Sequence, residues 1–180
     1  MKRPDLIIVP SFYHQYINLV PDGQELDGLL ELNKMLMGDF LAAIPEQKWG
    51  FRYAEGKWSI KEMVQHLIDA ERIFAYRALC IARGETASLP GFDENTYAAA
   101  SNADTRTKAS LTEELQAVQS ATALLFRSFT EDQLERTGTA NNKPIQVRTI
   151  GFIAVGHMLH HKNILQERYL HGQPATNMEF

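Results

Sequence analysis

Apolar residues recur every three or four positions through four separate stretches of this chain. Between residues 25 and 44 they are Leu26, Leu29, Leu30, Leu32, Met35, Leu36, Phe40, Leu41 and Ile44. One face of an α-helix has that spacing, whereas a half-buried strand would alternate. Pro45 ends the run, because proline lacks the N–H that another helical turn requires. A second helix opens at Ser59, with Glu62 three positions on in the S-x-x-E pattern of a capping box. It carries Met63, Val64, Leu67, Ile68, Ile73, Phe74 and Leu79 as far as Arg83, and Gly84 supplies its stop. Ser110 and Glu113 repeat the capping pattern before a third helix that reaches about Phe129. Thr149 is the expected cap of a fourth, which ends near His171 and Gly172 with Pro174 beyond.

The segments between these helices carry little periodicity. Residues 85–109 contain Pro90-Gly91 and many small polar residues, which predicts a long loop holding one short helical turn. Residues 130–133 read as the start of another short turn. Asn141-Asn142-Lys143-Pro144 sits between two short β-compatible runs within 137–147, a pattern that fits a small hairpin. Pro4, Pro10, Pro21 and Asp22-Gly23 make residues 1–24 an irregular lead-in, and 173–180 a tail. The expected architecture is all-α: a four-helix bundle over residues 25–172 with long inter-helix loops and that one hairpin before the last helix.

Composition excludes several functional classes. Eighteen Lys+Arg against 22 Asp+Glu leave a formal charge of −4, the wrong sign for general binding to a phosphate backbone. No apolar run approaches the roughly 18 residues of a membrane-spanning helix. Lys2 and Arg3 do precede Leu6, Ile7, Ile8 and Val9, but four apolar residues fall short of the roughly 7–15 in a signal-peptide core. A cytoplasmic protein without nucleic-acid or membrane partners is the expectation. The single cysteine, Cys80, excludes an internal disulfide framework and a cysteine-based zinc ribbon.

Three of the six histidines fall between 157 and 161. At about 100° per residue, with His157 at zero, His161 lies near +40° and His160 near −60°. Ile150, Ala154, Ile164 and Leu165 lie between about −20° and +80°, so His157 and His161 share the apolar side. His160 falls instead beside Asn163 and Glu167 on a polar flank. On the second helix, His66 sits at the edge of the face formed by Met63, Leu67, Ala70 and Phe74, with Glu62 and Asp69 on its polar side. If the two helices are neighbours, three imidazoles converge across their groove. Three protein ligands leave a coordination position for water or substrate, the pattern of a catalytic rather than a structural zinc. Imidazole also suits nickel, copper and iron. The alternative is that each histidine is packed or solvated and the helices hold no metal. Met158 follows His157, so the H-E-x-x-H protease pattern is absent.

The residues Gly56-Lys57-Trp58-Ser59-Ile60-Lys61-Glu62-Met63-Val64-Gln65-His66-Leu67, then Leu89-Pro90-Gly91-Phe92-Asp93-Glu94-Asn95-Thr96-Tyr97, then Gly156-His157-Met158-Leu159-His160-His161 resemble, in that order, the DinB-like superfamily, which includes bacillithiol-transferase-like proteins. The resemblance spans roughly residues 29–170. It implies a four-helix bundle, often a homodimer, with a divalent metal held at the positions of His66, His157 and His161. Zinc or nickel is the first expectation. It further implies a metal-dependent enzyme that transfers a low-molecular-weight thiol to an electrophilic substrate, or a hydrolase. The competing readings are a non-catalytic, metal-stabilised stress-response or binding module, and a helical dimer without metal.

The remaining candidates rest on position alone. Asp69 could orient His66 through the imidazole's other N–H, and Arg168, a heptad beyond His161, could meet an anionic substrate group. Trp58 reads as a hydrophobic staple, His14 and His171 as solvated, and Cys80 as a small buried hydrophobe about 21 Å along the helix from His66. The segment 92–97 could line a pocket mouth. Protons should compete for the imidazoles as pH falls toward about 6.5.

Overall fold

The computed structural model describes residues 3–170. Its helices are α1 (His14–Ile17), α2 (Leu26–Ala43), α3 (Ile60–Ala82), α4 (Glu94–Ala100), α5 (Lys108–Arg127), α6 (Glu131–Leu134) and α7 (Val147–Ile164). A two-stranded antiparallel hairpin, β1 (Thr137–Ala140) and β2 (Lys143–Gln146), precedes α7. The expected all-α bundle is therefore observed, built from α2, α3, α5 and α7. α3 packs on α5 and α7, and α2 packs on the same two, so α2 stands diagonally opposite α3, and α5 diagonally opposite α7. Among the described residues no helix is long and apolar enough to cross a membrane.

α3 begins where the sequence signals it. Ser59 accepts the Glu62 N–H through Oγ, and the Glu62 carboxylate accepts the Ser59 N–H in return. Further contacts anchor this end. Ser59 Oγ donates to Asp104 at 2.6 Å, and Arg52 bridges Glu62 and Asp104. The first turn of the helix that carries His66 is thus fixed against a distant loop. Asn141 and Asn142, with φ of 50° and 58°, form the hairpin turn, a left-handed pair that asparagine tolerates.

Two expected caps fall elsewhere. α5 is capped by Thr107, whose Oγ1 accepts the Ser110 N–H at 3.1 Å, so the helix begins before the Ser110–Glu113 pattern. α7 begins at Val147 with no side-chain cap at Gln146. The Val147 N–H donates to the Arg136 carbonyl, and Thr149 Oγ1 is buried without a partner. The hairpin runs directly into this helix, and strand pairing, not a capping side chain, sets its start. The long segment before α5 holds more order than one turn. Asp93 caps α4, a 3-10 turn spans Ala103–Thr105, and Leu89 pairs with the hairpin at Ala140. After Ile164 the last helix widens into a π-helical segment, Leu165–Leu170; the expected end near His171, and His171 itself, lie outside the described residues.

α7 is buried on nearly every side, as a helix apolar all round must be. α2 and α3 cover two of its faces and the N-terminal segment covers another. That segment contributes Val9, Tyr13, Ile17 and Val20 to the core. His14, expected to be solvated, is half-buried, its Nε2 against the carbonyls of Leu6 and Val9 at 3.0 and 2.8 Å. Gly156 permits the contact: a Cβ there would overlap the Tyr16 carbonyl backbone. Gly156→Ala should therefore destabilise the fold by about 1–3 kcal/mol, since neither backbone can move without unpacking the other. Urea unfolding would show it as a lower midpoint, and an unchanged midpoint would mean that the N-terminal segment is not held against α7.

Candidate metal centre

Three side chains meet at the junction of two apolar clusters. One cluster holds Phe74, Ala154 and the N-terminal residues, and the other holds Leu67, Met158 and Leu165. His66 comes from α3, and His157 and His161 from successive turns of α7, as the helical angles require. Their exposures are 7%, 6% and 9%. The Nε2 atoms of His66 and His161 each lie 3.1 Å from His157 Nε2, and one ligand nitrogen from each of the three falls within 4.8 Å of the others.

That convergence suits a cation better than it suits hydrogen bonding. A neutral imidazole nitrogen offers one N–H or one lone pair, and His157 Nε2 must answer two equivalent nitrogens at once. Nitrogens 2.0–2.1 Å from one ion in a tetrahedron stand about 3.3–3.4 Å apart, close to the spacing seen. The donor set, three neutral nitrogens, fits zinc, nickel, copper or iron. His161 Nδ1 is buried without a hydrogen-bond partner among the described residues, and packing against the rings of His66 and His160 orients that imidazole.

Burial acts on the titration of all three. It lowers His66 to about 4, with a smaller push from His160. Burial, then the neighbouring histidines, carries His157 and His161 well below the usual range. The sequence-based expectation of proton competition near 6.5 is thereby corrected downward: the site presents unprotonated ligands well into acid.

Aromatic rings wall the trio. Tyr16 stands edge-on to His157 and to His160, each at 5.4 Å, and Phe74 lies 5.5 Å from His157. Trp58 lies 4.9 Å from His66. Sequence reasoning missed these neighbours. Trp58 and Phe74 were readable only as packing residues, and Tyr16 lies in a segment without periodicity. The close Gly156 contact, which seats Tyr16, had no signal beyond the glycine itself. His160 is half-buried beside the trio without joining it.

The other candidates sit apart. Asp69 accepts a hydrogen bond from Gln65 Nε2 at 2.9 Å, and burial raises its carboxyl above the usual range. Arg168 donates to the Tyr53 hydroxyl at 3.2 Å and stacks its guanidinium over that ring. The π-helical turn between His161 and Arg168 abolishes the 100° step that had aligned them. Cys80 is partly buried against the core, on the far stretch of α3.

Comparison with known proteins places this geometry in context. The model of the DinB superfamily matches residues 29–165. A curated protein of Oceanobacillus iheyensis, provisionally named a metal-dependent hydrolase, is 22% identical over 101 residues. That match covers 56% of this chain and 58% of the relative, so it spans less than two thirds of the relative's length. Among solved structures, YfiT from Bacillus subtilis is described as a probable metal-dependent hydrolase with an unusual four-helix bundle topology. It superposes with a TM-score of 0.71 at 18% identity, over 82% of this chain and 90% of its own. A mycothiol-dependent maleylpyruvate isomerase superposes with a TM-score of 0.65 at 14% identity, over 77% of this chain and 58% of its own. Similarity at these identities is similarity of fold.

The depressed histidines make stability depend on pH when no metal is bound. The unfolded histidines keep a pKa of about 6.5, so between about 6.5 and 4 the unfolded chain holds more protons. The histidines' contribution to stability is complete above about 6.5 and falls as pH drops toward 4, and His66 alone accounts for about 3 kcal/mol of the loss, offset in part by protonation of buried Glu71, which burial raises to about 7. Urea midpoints of chelator-treated protein should fall across this window. His66→Gln, which has no proton to take up, should lose less than the wild type; equal losses would show that His66 is not buried uncharged.

Proposed function

This chain belongs to the DinB superfamily, and on that premise we propose that it is a divalent-metal-dependent enzyme in which His66, His157 and His161 hold the ion. The observation that carries the reading is the meeting of three buried Nε2 atoms at one point. The names of two similar proteins, each given as a metal-dependent hydrolase, support the same kind of centre, and a further structural neighbour is named a mycothiol-dependent isomerase.

We further propose that the nucleophile is a low-molecular-weight thiol and the second substrate an electrophile. A divalent ion with three protein ligands supplies Lewis acidity at an open position, strong enough to ionise a coordinated thiol. The chain's own residues favour a thiol over water. Tyr16, Trp58 and Phe74 give the imidazoles aromatic surroundings, which accommodate a soft, weakly hydrated group. Among the described residues none of the trio's hydrogen bonds runs to a carboxylate that could act as base, and a thiol with a free pKa of about 8.5 needs less assistance than water. Burial keeps the three imidazoles unprotonated, so they are ready to bind metal at neutral pH. His160 and Tyr16 meet edge to face beside the centre, where they limit the approach of substrate.

Two measurements test the two halves. Untagged purified protein should carry close to one divalent ion per chain by elemental analysis, and His157→Ala should lose it; unchanged content would remove these residues as ligands. With a low-molecular-weight bacterial thiol and an electrophilic acceptor, turnover should stop on chelation and return with added metal. A protein that binds metal but hydrolyses esters or amides without thiol would establish the hydrolase reading instead, and one that binds metal without any turnover would establish a metal-stabilised module.

A further inference from the structure

Among the described residues, a buried charge outside the histidine centre has no counter-ion. Arg77 lies on α3, about 16 Å farther along the helix axis than His66. It is only 6% exposed. Its one hydrogen bond among the described residues runs from Nη2 to the Pro90 carbonyl, at 2.7 Å, and no carboxylate pairs with it there. A guanidinium carries five N–H donors, and an unpaired cation is costly to bury. Burial accordingly pulls Arg77 below its usual pKa, though an arginine so placed stays charged.

Arg77 also lines a cleft of about 100 Å³ together with Ile73, Tyr76, Leu89, Phe92 and Tyr97. The cleft is floored by the buried Leu89 and flanked by the exposed rings of Tyr76 and Tyr97. Phe92 and Tyr97 pack against each other at 5.2 Å. The lining is apolar and aromatic around a single fork of donors. We propose that this cleft binds a small organic carboxylate, its two oxygens on the Arg77 guanidinium and its apolar body against Leu89, Phe92 and Tyr97.

The chemistry selects that class. The planar guanidinium matches a carboxylate with two parallel bonds. A phosphate would bring more charge than one cation answers, and its strongly hydrated oxygens would face hydrocarbon. The size suits a compact acid, below the roughly 300 Å³ at which pockets for larger ligands begin. The competing explanation is that Arg77 only props the 89–92 loop through Pro90. Lysine can keep a single bond to that carbonyl but not the fork, so it separates the two. The site is independent of the metal centre, and so is its test.

Titration calorimetry of the purified protein with benzoate, and with neutral benzamide, tests the proposal. Benzoate should saturate one site per chain, and benzamide should bind at least tenfold more weakly. Arg77→Lys should weaken benzoate at least tenfold, while His157→Ala leaves its affinity unchanged. Absence of saturable benzoate binding overturns the proposal, as does equal affinity in Arg77→Lys. Loss of binding in His157→Ala with none in Arg77→Lys also overturns it, because the anion would then sit at the histidine centre. Should Arg77→Lys not fold, Tyr97→Ala at the exposed rim must weaken benzoate at least threefold, and unchanged affinity would overturn the assignment.

Discussion

Three uncharged imidazoles packed nitrogen against nitrogen, 3.1 Å apart in a core with almost no access to water, set the demands that the rest of this bundle meets. Such a cluster can be held only if both of its helices are fixed in register. α3 achieves this at its N-terminus, where the Ser59–Glu62 box is tied to Arg52 and Asp104 less than two turns before His66. α7 achieves it by burial: it is enclosed on most of its circumference by α2, α3 and the N-terminal segment. Gly156 follows from the same requirement, because only a residue without Cβ lets the Tyr16 backbone close over the turn that carries His157.

α3 bears an unusual load for a central helix. Besides His66, it buries Glu71 and Arg77. Burial raises the Glu71 carboxyl to about 7, eased by a hydrogen bond with Thr122 of α5. Among the described residues Arg77 has one carbonyl and no anion. Ordinary core positions on such a helix would be apolar, and each of these groups forfeits hydration for incomplete compensation. Local sequence rules are commonly broken where a chain binds or reacts. Here the breaks fall along one face-crossing series on one helix. The two ends of that series open on different surroundings, histidines at one and an apolar cleft at the other.

The sequence shows the long helices because burial repeats every three to four residues in them, and it shows the α3 start because a capping box is a local pattern. His66, His157 and His161 were legible for the same reason: helical angles follow from residue number alone. What escaped reading depends on contacts between distant segments. Thr107 caps α5 in place of Ser110, since both are acceptable caps and only the preceding loop decides between them. Thr149 lies inside α7 because the β1–β2 pairing delivers the chain into the helix three residues early. Arg168 parted from His161 at a π-helical turn, a departure from the 100° rule that no residue type announces. Tyr16 became a neighbour of His157 through a fold-back of the lead-in, where proline spacing hides any period.

These failures have a functional sense. The fold superposes on YfiT at only 18% identity, so its helices depend on pattern more than on particular residues. A centre built on helix faces inherits that robustness, and its chemistry, an ion with an open position, is general. Selectivity must then come from what surrounds the opening. In this chain the surroundings are Tyr16 from the lead-in and Trp58 from the turn before α3, while the 89–97 segment forms the separate Arg77 cleft. All three belong to stretches without helical periodicity in the sequence. The part of the molecule that reads most clearly from sequence is therefore the part least able to distinguish one substrate from another.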